Sequence, residues 1–311
     1  MLNTIMSRTY LSRLKKDFIR NKLIYFMLIP VVLYYAIFQY GPMYGSIIAF
    51  KNYDIVKGVR DSPWVGFENF VYFFNSIHFW RVVKNTLLIN VYQLIFAFTA
   101  PILLALLLNE ITRSWFKRLV QTITYIPHFI SIVVVCGMLT QFLARDGVVT
   151  DIFVWFGGER TALLGAPEYF RTIFVASDIW QNIGWGTIIY LAALSSINLE
   201  LYEAATVDGA GRFKKMLHIT IPGLLPIIVI LLILNIGKMM DVGYEKIILL
   251  YNPLTYETAD VINSYVYRVG LGGSFQFSYA AAVGLFQSAL NLSLLIFANW
   301  FSRKINDTSL W

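Results

Sequence analysis

Three sets of polar residues interrupt the long apolar stretches of this chain. The first set lies in the fourth stretch and consists of Asp178, Gln181, Asn182 and Trp185. The second lies in the fifth stretch and consists of Asn235, Lys238, Asp241 and Glu245. The third lies in the sixth stretch and consists of Gln287 and Asn291. Spacings of three or four residues place each set on one face of a helix.

Ionisable and amide side chains at membrane depth are costly, and they usually face a cavity or a partner. One interpretation is a route for a hydroxylated solute such as a sugar, since acids and amides bind hydroxyls and a ring such as Trp185 covers a pyranose face. The alternative is hydrogen bonding between helices, with Lys238 bonded to Asp241 one turn away. His128 and Cys136 have no partners at metal-ligand or catalytic spacing, so we predict no metal and no catalytic site.

The composition indicates a membrane protein. Of the 311 residues, 58% are hydrophobic and only 14% are charged, whereas soluble domains are about a quarter charged. Lipid solvates apolar side chains that a soluble core of this size could not hide. The net charge of +7 could suggest nucleic-acid binding, but the basic residues lie beside apolar stretches, where they act as topology determinants.

Six apolar stretches are each long enough to cross a hydrocarbon core of about 30 Å. They lie near residues 23–50, 81–109, 117–143, 170–197, 223–250 and 279–302. We therefore predict an all-α polytopic membrane protein with six transmembrane helices. The first stretch lacks a small-residue cleavage site, so we expect it to be retained as a span rather than removed as a signal peptide.

The distribution of Lys and Arg predicts the orientation. Placing the N-terminus in the cytoplasm puts 14 of the 25 basic residues in the inside segments, which are also shorter than the outside ones. Both termini are then cytoplasmic. We divide the chain into a basic N-terminal segment (1–22), a six-span domain (23–302) with a cytoplasmic loop at 198–222, and a C-terminal tail (303–311). The N-terminal segment is either an amphipathic surface helix or a disordered basic tail.

The cytoplasmic loop at 198–222 contains a short helix-forming run followed by glycine. Its distinctive residues are Glu203, Ala204, Ala205, Asp208, Gly209, Ile219 and Pro222. Good helix formers followed by glycine predict a short helix that ends there. Proline at the first turn of the next helix would lose no hydrogen bond. A small-residue helix with an exposed acid suits docking into a groove on a soluble partner.

The spacing of this loop resembles the signature loop of type I ABC importer permeases, which are binding-protein-dependent. The pattern is Glu-Ala-Ala, three residues, Gly, nine residues and Ile-x-Leu-Pro, and this chain departs from it once, with Ile221 where Leu is usual. The longer stretch from residue 203 to residue 210 is similar to that of permeases in the carbohydrate class. The stretches 241–246 and 249–253 are similar to a subgroup that handles oligosaccharides from complex polysaccharides.

The resemblance implies the type I permease fold and a set of partners. These are a second homologous permease, different from this one, two cytoplasmic ATPase subunits under the loop helices, and an external solute-binding protein that delivers the sugar. The resemblance also implies a bacterial inner-membrane location. ATP and Mg²⁺ would bind to the ATPase subunits, because this chain contains no G-x-x-x-x-G-K-[ST] phosphate loop.

Two other functions fit parts of the sequence less well. An ion-coupled secondary transporter would use Lys238, Asp241 or Glu245 and would show an inverted repeat, which we do not see. A membrane enzyme such as a glycosyltransferase would need clustered carboxylates or histidines at an interface, whereas Asp146 and Asp151 lack partners in the sequence.

Overall fold

The computed structural model describes Asp17 and residues 19–306, and these residues are almost entirely helical. The predicted N-terminal segment therefore lies largely outside the described residues, as does the tail beyond residue 306. The helices are α1 (Lys22–Phe50), α2 (Gly58–Asp61), α3 (Glu68–Phe74), α4 (Phe79–Glu110), α5 (Ser114–Phe129), α6 (Ile132–Phe142), α7 (Val148–Trp155), α8 (Pro167–Leu194), α9 (Leu199–Val207), α10 (Arg212–Gly237), α11 (Tyr244–Leu250), α12 (Tyr256–Ala259), α13 (Ile262–Gly270) and α14 (Phe277–Asn306). Short 3₁₀ turns lie at Leu163–Gly165 and Pro253–Thr255.

The chain divides into two compact units, residues 1–69 and 70–311. In the first unit, α1 is apolar and almost wholly exposed, as expected of a helix that lipid or another subunit covers. The segment after α1 folds back on the end of that helix. There the amide of Asn69 donates to the carbonyl oxygens of Ala49 and Lys51, and an isolated bridge joins Lys51 to Trp64.

Among the described residues, four helices are long and apolar enough to cross a membrane, namely α1, α4, α10 and α14. The pair α5 and α6 adds a fifth candidate, but its two helices are bent by 99° relative to each other. The prediction of one continuous span at 117–143 is therefore wrong. Pro127 has no N–H to donate, the chain tightens into a 3₁₀ turn at Ile126–Phe129, and Ile130 and Ser131 are extended.

The predicted span at 223–250 is also interrupted. Helix α10 ends at Gly237, and α11 begins at Tyr244 after six non-helical residues. Glycine is a poor helix former, and side chains from α14 bind the backbone of the interruption. The prediction that the residues from Asn235 to Glu245 share one face of a single helix is therefore wrong. They lie on two helices and on the segment between them.

The central helix of the second unit is α8, which has 28 residues and contacts α4, α5, α10 and α12. It begins with Pro167 at its first turn, where the missing N–H costs no hydrogen bond. Apolar clusters pack near both of its ends: Phe170 and Phe174 belong to one, and Tyr190 and Leu194 belong to the other. Its middle carries the polar residues of the first predicted set.

The crossing of α8 over α5 requires a glycine. A Cβ atom at Gly184 would overlap the carbonyl oxygen of Thr124 and the ring of Tyr125. Because the obstacle is partly backbone, a rotamer change alone cannot relieve it. The close approach of these two helices therefore depends on Gly184 having no side chain.

We expect Gly184→Ala to destabilise the folded chain, because overpacking at a helix crossing costs about 1–3 kcal/mol. The yield of monodisperse protein and its Tm should both fall. Gly284→Ala is the matched control, since Gly284 is also helical and no atom lies within 4 Å of its Cβ position. Equal Tm values for the two variants would contradict the proposed close crossing.

Candidate translocation site

The polar face of α8 is organised by contacts with the interruption between α5 and α6. Asn182 donates to Oδ1 of Asp178 over 2.9 Å, and its own Oδ1 lies 2.9 Å from Nδ1 of His128. The His128 ring stacks on Trp185 with 4.5 Å between centroids and 5° between planes. Gln181 donates over 3.1 Å to the carbonyl oxygen of Ile130, which the interrupted helix leaves without a helical partner.

Two half-open cavities meet at Asp178 and Asn182. The smaller has a volume of about 370 Å³ and adjoins Trp185, Tyr190 and Asn235. The larger has a volume of about 490 Å³. Its polar and ionisable lining consists of Gln93, His128, Asp178, Gln181, Asn182, Asp241, Tyr244, Glu245 and Lys246. Such a lining offers hydrogen-bond donors and acceptors together with an aromatic surface, which is the chemistry that a sugar requires.

Two side chains of α14 bind the backbone of Met240 in the interruption after α10. Gln287 donates over 2.7 Å to the carbonyl oxygen of Met240, and Oδ1 of Asn291 accepts from the Met240 amide over 2.8 Å. These two amides replace the hydrogen bonds that a continuous helix would have supplied. Gln287 and Asn291 thus lie together as predicted, but they bind backbone and line neither of the two cavities, which supports the alternative of hydrogen bonding between helices.

The other predicted polar residues divide between the two cavities. Asn235 lines the smaller one, and Asp241 and Glu245 line the larger. Oδ1 of Asp241 accepts from Asn263 over 2.6 Å. Lys238 is exposed and lines neither cavity, and its predicted side-chain bond to Asp241 is not formed; the two residues share only a backbone hydrogen bond.

Sequence reasoning missed Gln93 and Lys246 and did not include His128 among the residues of the route. Gln93 interrupts an otherwise apolar stretch, and that signal could have identified it. Lys246 follows Asp241 in the stretch similar to the complex-sugar subgroup, but nothing in the sequence indicates which of Lys238 and Lys246 faces the cavity. The choice depends on the interruption, because it resets the helical phase before α11 begins.

A buried carboxylate joins α13 to α4. The Asp260 side chain is fully buried and accepts two hydrogen bonds from Arg268, of 2.9 and 2.6 Å, while Arg81 lies 3.2 Å away. Burial alone would lower the pKa of Arg268, but the paired Asp260 carboxylate raises it above the ordinary value. This pairing anchors the segment that follows α12.

The adjacent pair Asn85 and Thr86 connects α4 to the same segment. Nδ2 of Asn85 donates to the carbonyl oxygens of Glu257 and Asp260, and the Ile262 amide donates to Oγ1 of Thr86 over 3.0 Å. These residues satisfy backbone groups at the start of α13. Their polar character inside an apolar stretch is therefore structural.

The residues of the loop at 198–222 form the short helix that the sequence predicts. Asn198 caps α9 by accepting from the amide of Glu200, and Gly209 ends the turn after it with a φ of +74°. The Ala210 amide bonds to the carbonyl oxygen of Ala205 over 2.8 Å. Glu203, Ala204 and Asp208 are exposed. Tyr202 bonds to Thr220 over 2.9 Å, which ties α9 to α10.

The α-helical segment Ile221–Gly237 begins with Pro222 in its first turn, as predicted, but the chain is already helical before it. Helix α10 begins at Arg212, so Ile219 and Pro222 lie within it. A wide π-type turn at Met216–Thr220 precedes the proline and accommodates its missing N–H and its ring.

Within the described residues, no group of three or more His, Cys, Asp or Glu side chains could hold a metal ion. Cys136 is buried and free. The expected absence of a metal and of catalytic cysteine chemistry stays a prediction.

Comparison with known proteins places these features in a family. Residues 97–307 match the family model of the binding-protein-dependent transport system inner membrane component. The chain is 42% identical over 300 residues to the polygalacturonan/rhamnogalacturonan transport system permease protein YteP of Bacillus subtilis (strain 168). That alignment covers 96% of this chain and 93% of YteP.

Two solved structures have the same fold. One is a bacterial ABC transporter involved in the import of the acidic polysaccharide alginate, with a TM-score of 0.87 and 46% identity over 94% of this chain and 99% of that one. The other is a bacterial alginate ABC transporter in complex with an alginate pentasaccharide-bound periplasmic protein, with a TM-score of 0.88 and 45% identity over 96% of this chain and 100% of that one.

These matches confirm the prediction of a permease subunit in a sugar importer driven by ATP, and they give no support to the ion-coupled alternative. The subunit is a membrane-spanning transport component and not itself an enzyme. The chain belongs to the family of binding-protein-dependent transport system inner membrane components.

Proposed function

We propose that this chain is one of two permeases in an importer for oligosaccharides derived from acidic polysaccharides. The observation that carries the proposal is the identity of 42–46% to permeases whose names specify polygalacturonan, rhamnogalacturonan or alginate transport. Each alignment covers more than nine-tenths of both chains, which supports a shared substrate class.

The lining of the two cavities is compatible with such a substrate. Amide and carboxylate oxygens of Asp178, Gln181 and Asn182 are available for sugar hydroxyls, and Trp185 supplies a ring beside them. Weak contacts spread over a wide surface let a solute enter and also leave. A single strong site would hold the sugar and stop transport.

The permease has six spans when the five candidates already described are joined by a further one, α8. It is about 42 Å long at 1.5 Å per residue, enough to cross the hydrocarbon core. The polar residues Asp178, Gln181 and Asn182 interrupt its apolar character near the middle. These polar groups line the cavities, and Gln181 is buried, so they need not contact lipid.

A second homologous permease covers the open side of the cavities. Lipid cannot satisfy the carboxylates and amides that line them, so a protein surface or enclosed water must do so. Two different permeases facing each other would form a pore between their α8 helices. We therefore expect this chain alone to be degraded or inactive.

Two ATPase subunits supply the energy, and one of them docks on the loop helix α9. The exposed side chains Glu203 and Val207 lie at the end of α9, and Gly209 fixes the turn that presents them. The loop is then cytoplasmic, as are both termini, in agreement with the distribution of Lys and Arg. ATP and Mg²⁺ bind to the ATPase subunits, so this chain holds no cofactor.

The substrate class is tested by uptake in proteoliposomes that contain this chain, its partner permease, the ATPases and the cognate binding protein. Radiolabelled oligogalacturonate or oligoalginate should accumulate with ATP hydrolysis, and a neutral glucan of equal length should not. Omitting the second permease should abolish uptake. Accumulation of the neutral glucan without that of the acidic sugars would contradict the proposal.

Docking on α9 is tested with a pair of glycine variants. Gly209→Ala places a side chain at a φ of +74°, which costs about 1–2 kcal/mol and should lower the ATPase activity stimulated by loaded binding protein up to about tenfold. Gly211→Ala is the matched control, because Gly211 has a φ of −68°. Glu203→Lys should uncouple uptake in the same way. Normal coupling in both Gly209→Ala and Glu203→Lys would contradict the docking role.

A further inference from the structure

Besides His128 and Tyr244, the ionisable lining of the larger cavity contains three acids and one lysine. These residues are Asp178, Asp241, Glu245 and Lys246. Two of the acids already accept hydrogen bonds from amides: Asn182 donates to Asp178, and Asn263 donates to Asp241. Lys246 supplies the only ammonium group among the residues that line this cavity.

Lys246 is 5% exposed, and its ammonium has few partners. Nζ donates to the carbonyl oxygen of Phe174 over 3.1 Å and lies 4.8 Å from the centroid of the Phe174 ring. An ammonium has three N–H donors. Among the described residues, no carboxylate oxygen lies within 4.0 Å of the Lys246 ammonium. Asp178 attracts this ammonium without forming an ion pair with it. A buried cation that no carboxylate contacts directly is costly, so an anionic ligand would be favoured there.

The fold directs this charge into the cavity. Helix α11 starts after Gly243, and its residues Ile247 and Leu250 pack in the apolar cluster that also contains Phe174. This packing holds the stem of Lys246 between α11 and α8. Lys238, the other lysine of the predicted fifth span, lies in the interruption outside both cavities.

We propose that Lys246 binds a carboxylate of the transported oligosaccharide and thereby favours uronate-bearing sugars over neutral ones. This inference rests on the proposed function and assigns the charge recognition to one residue. The two cavities share Asp178 and Asn182, so a sugar chain that contacts Trp185 in the smaller cavity can extend its next residue towards Lys246. The surrounding acids accept hydroxyl groups and keep the overall affinity low, which permits release.

The test measures binding rather than uptake. The complete permease–ATPase complex, locked with ATP by a hydrolysis-deficient ATPase, is equilibrated without binding protein with radiolabelled trigalacturonate or with its methyl ester. The ester has the same ring and hydroxyl groups but no charge. Wild-type protein should bind the acid about tenfold or more tightly than the ester, as desolvated charge pairs commonly provide.

Three variants separate charge recognition from a structural role. Lys246→Met should remove the preference for the acid while leaving ester binding nearly unchanged, and Lys246→Arg should retain the preference. Lys238→Met is the matched control and should behave as the wild type. The proposal is overturned if Lys246→Met weakens acid and ester equally or keeps the preference, or if wild-type protein shows no preference or binds neither. Uptake of acidic sugars would still support the proposed function in each of those cases.

Discussion

The position of the cavity-lining residues depends on hydrogen bonds to the polar backbone groups where a membrane helix is interrupted. Helix α10 stops at Gly237, and the chain does not resume a helix until Tyr244. In lipid, the freed N–H and C=O groups would each cost several kcal/mol, so protein side chains must bind them. Gln287 and Asn291 of α14 do this at Met240. Without that pair, neither Asp241 nor Lys246 would have a defined direction.

The same principle applies on the other side of α8. The interruption at Ile130 is bound by Gln181, and His128 next to it contacts both Asn182 and Trp185. The interrupted helices α5–α6 and α10–α11 thus flank α8, which is continuous and has one polar face. The cavities form where these helices meet. The polar residues in this region have two kinds of role: some satisfy backbone, and others line the cavities.

Much of this was predictable from sequence. The membrane class followed from composition, and the short helix α9 followed from its helix-forming residues and the glycine after them. The polar face of α8 followed from helical spacing, because α8 is continuous. The breaks in the helices could not be predicted, because hydropathy measures how apolar a segment is and carries no information on whether its helix bends. The interruptions at Ile130 and Gly237 therefore passed unseen, and the predicted helical phase of Asp241 and Glu245 relative to Asn235 was wrong. The Arg268–Asp260–Arg81 cluster joins residues distant in the chain, which no local pattern reveals.

The central claim is that one face of α8 lines the sugar route. Cysteine labelling with a membrane-impermeant thiol reagent during turnover tests it most directly, in a Cys136→Ser background. Asp178, Asn182 and Ile189 line the cavities, whereas Trp180 and Ile188 are exposed but line neither. Cysteines at the first three positions should be labelled and then protected by excess acidic oligosaccharide, while those at the other two should show no protection. Equal labelling of both faces, or no protection at positions 178, 182 and 189, would contradict the account.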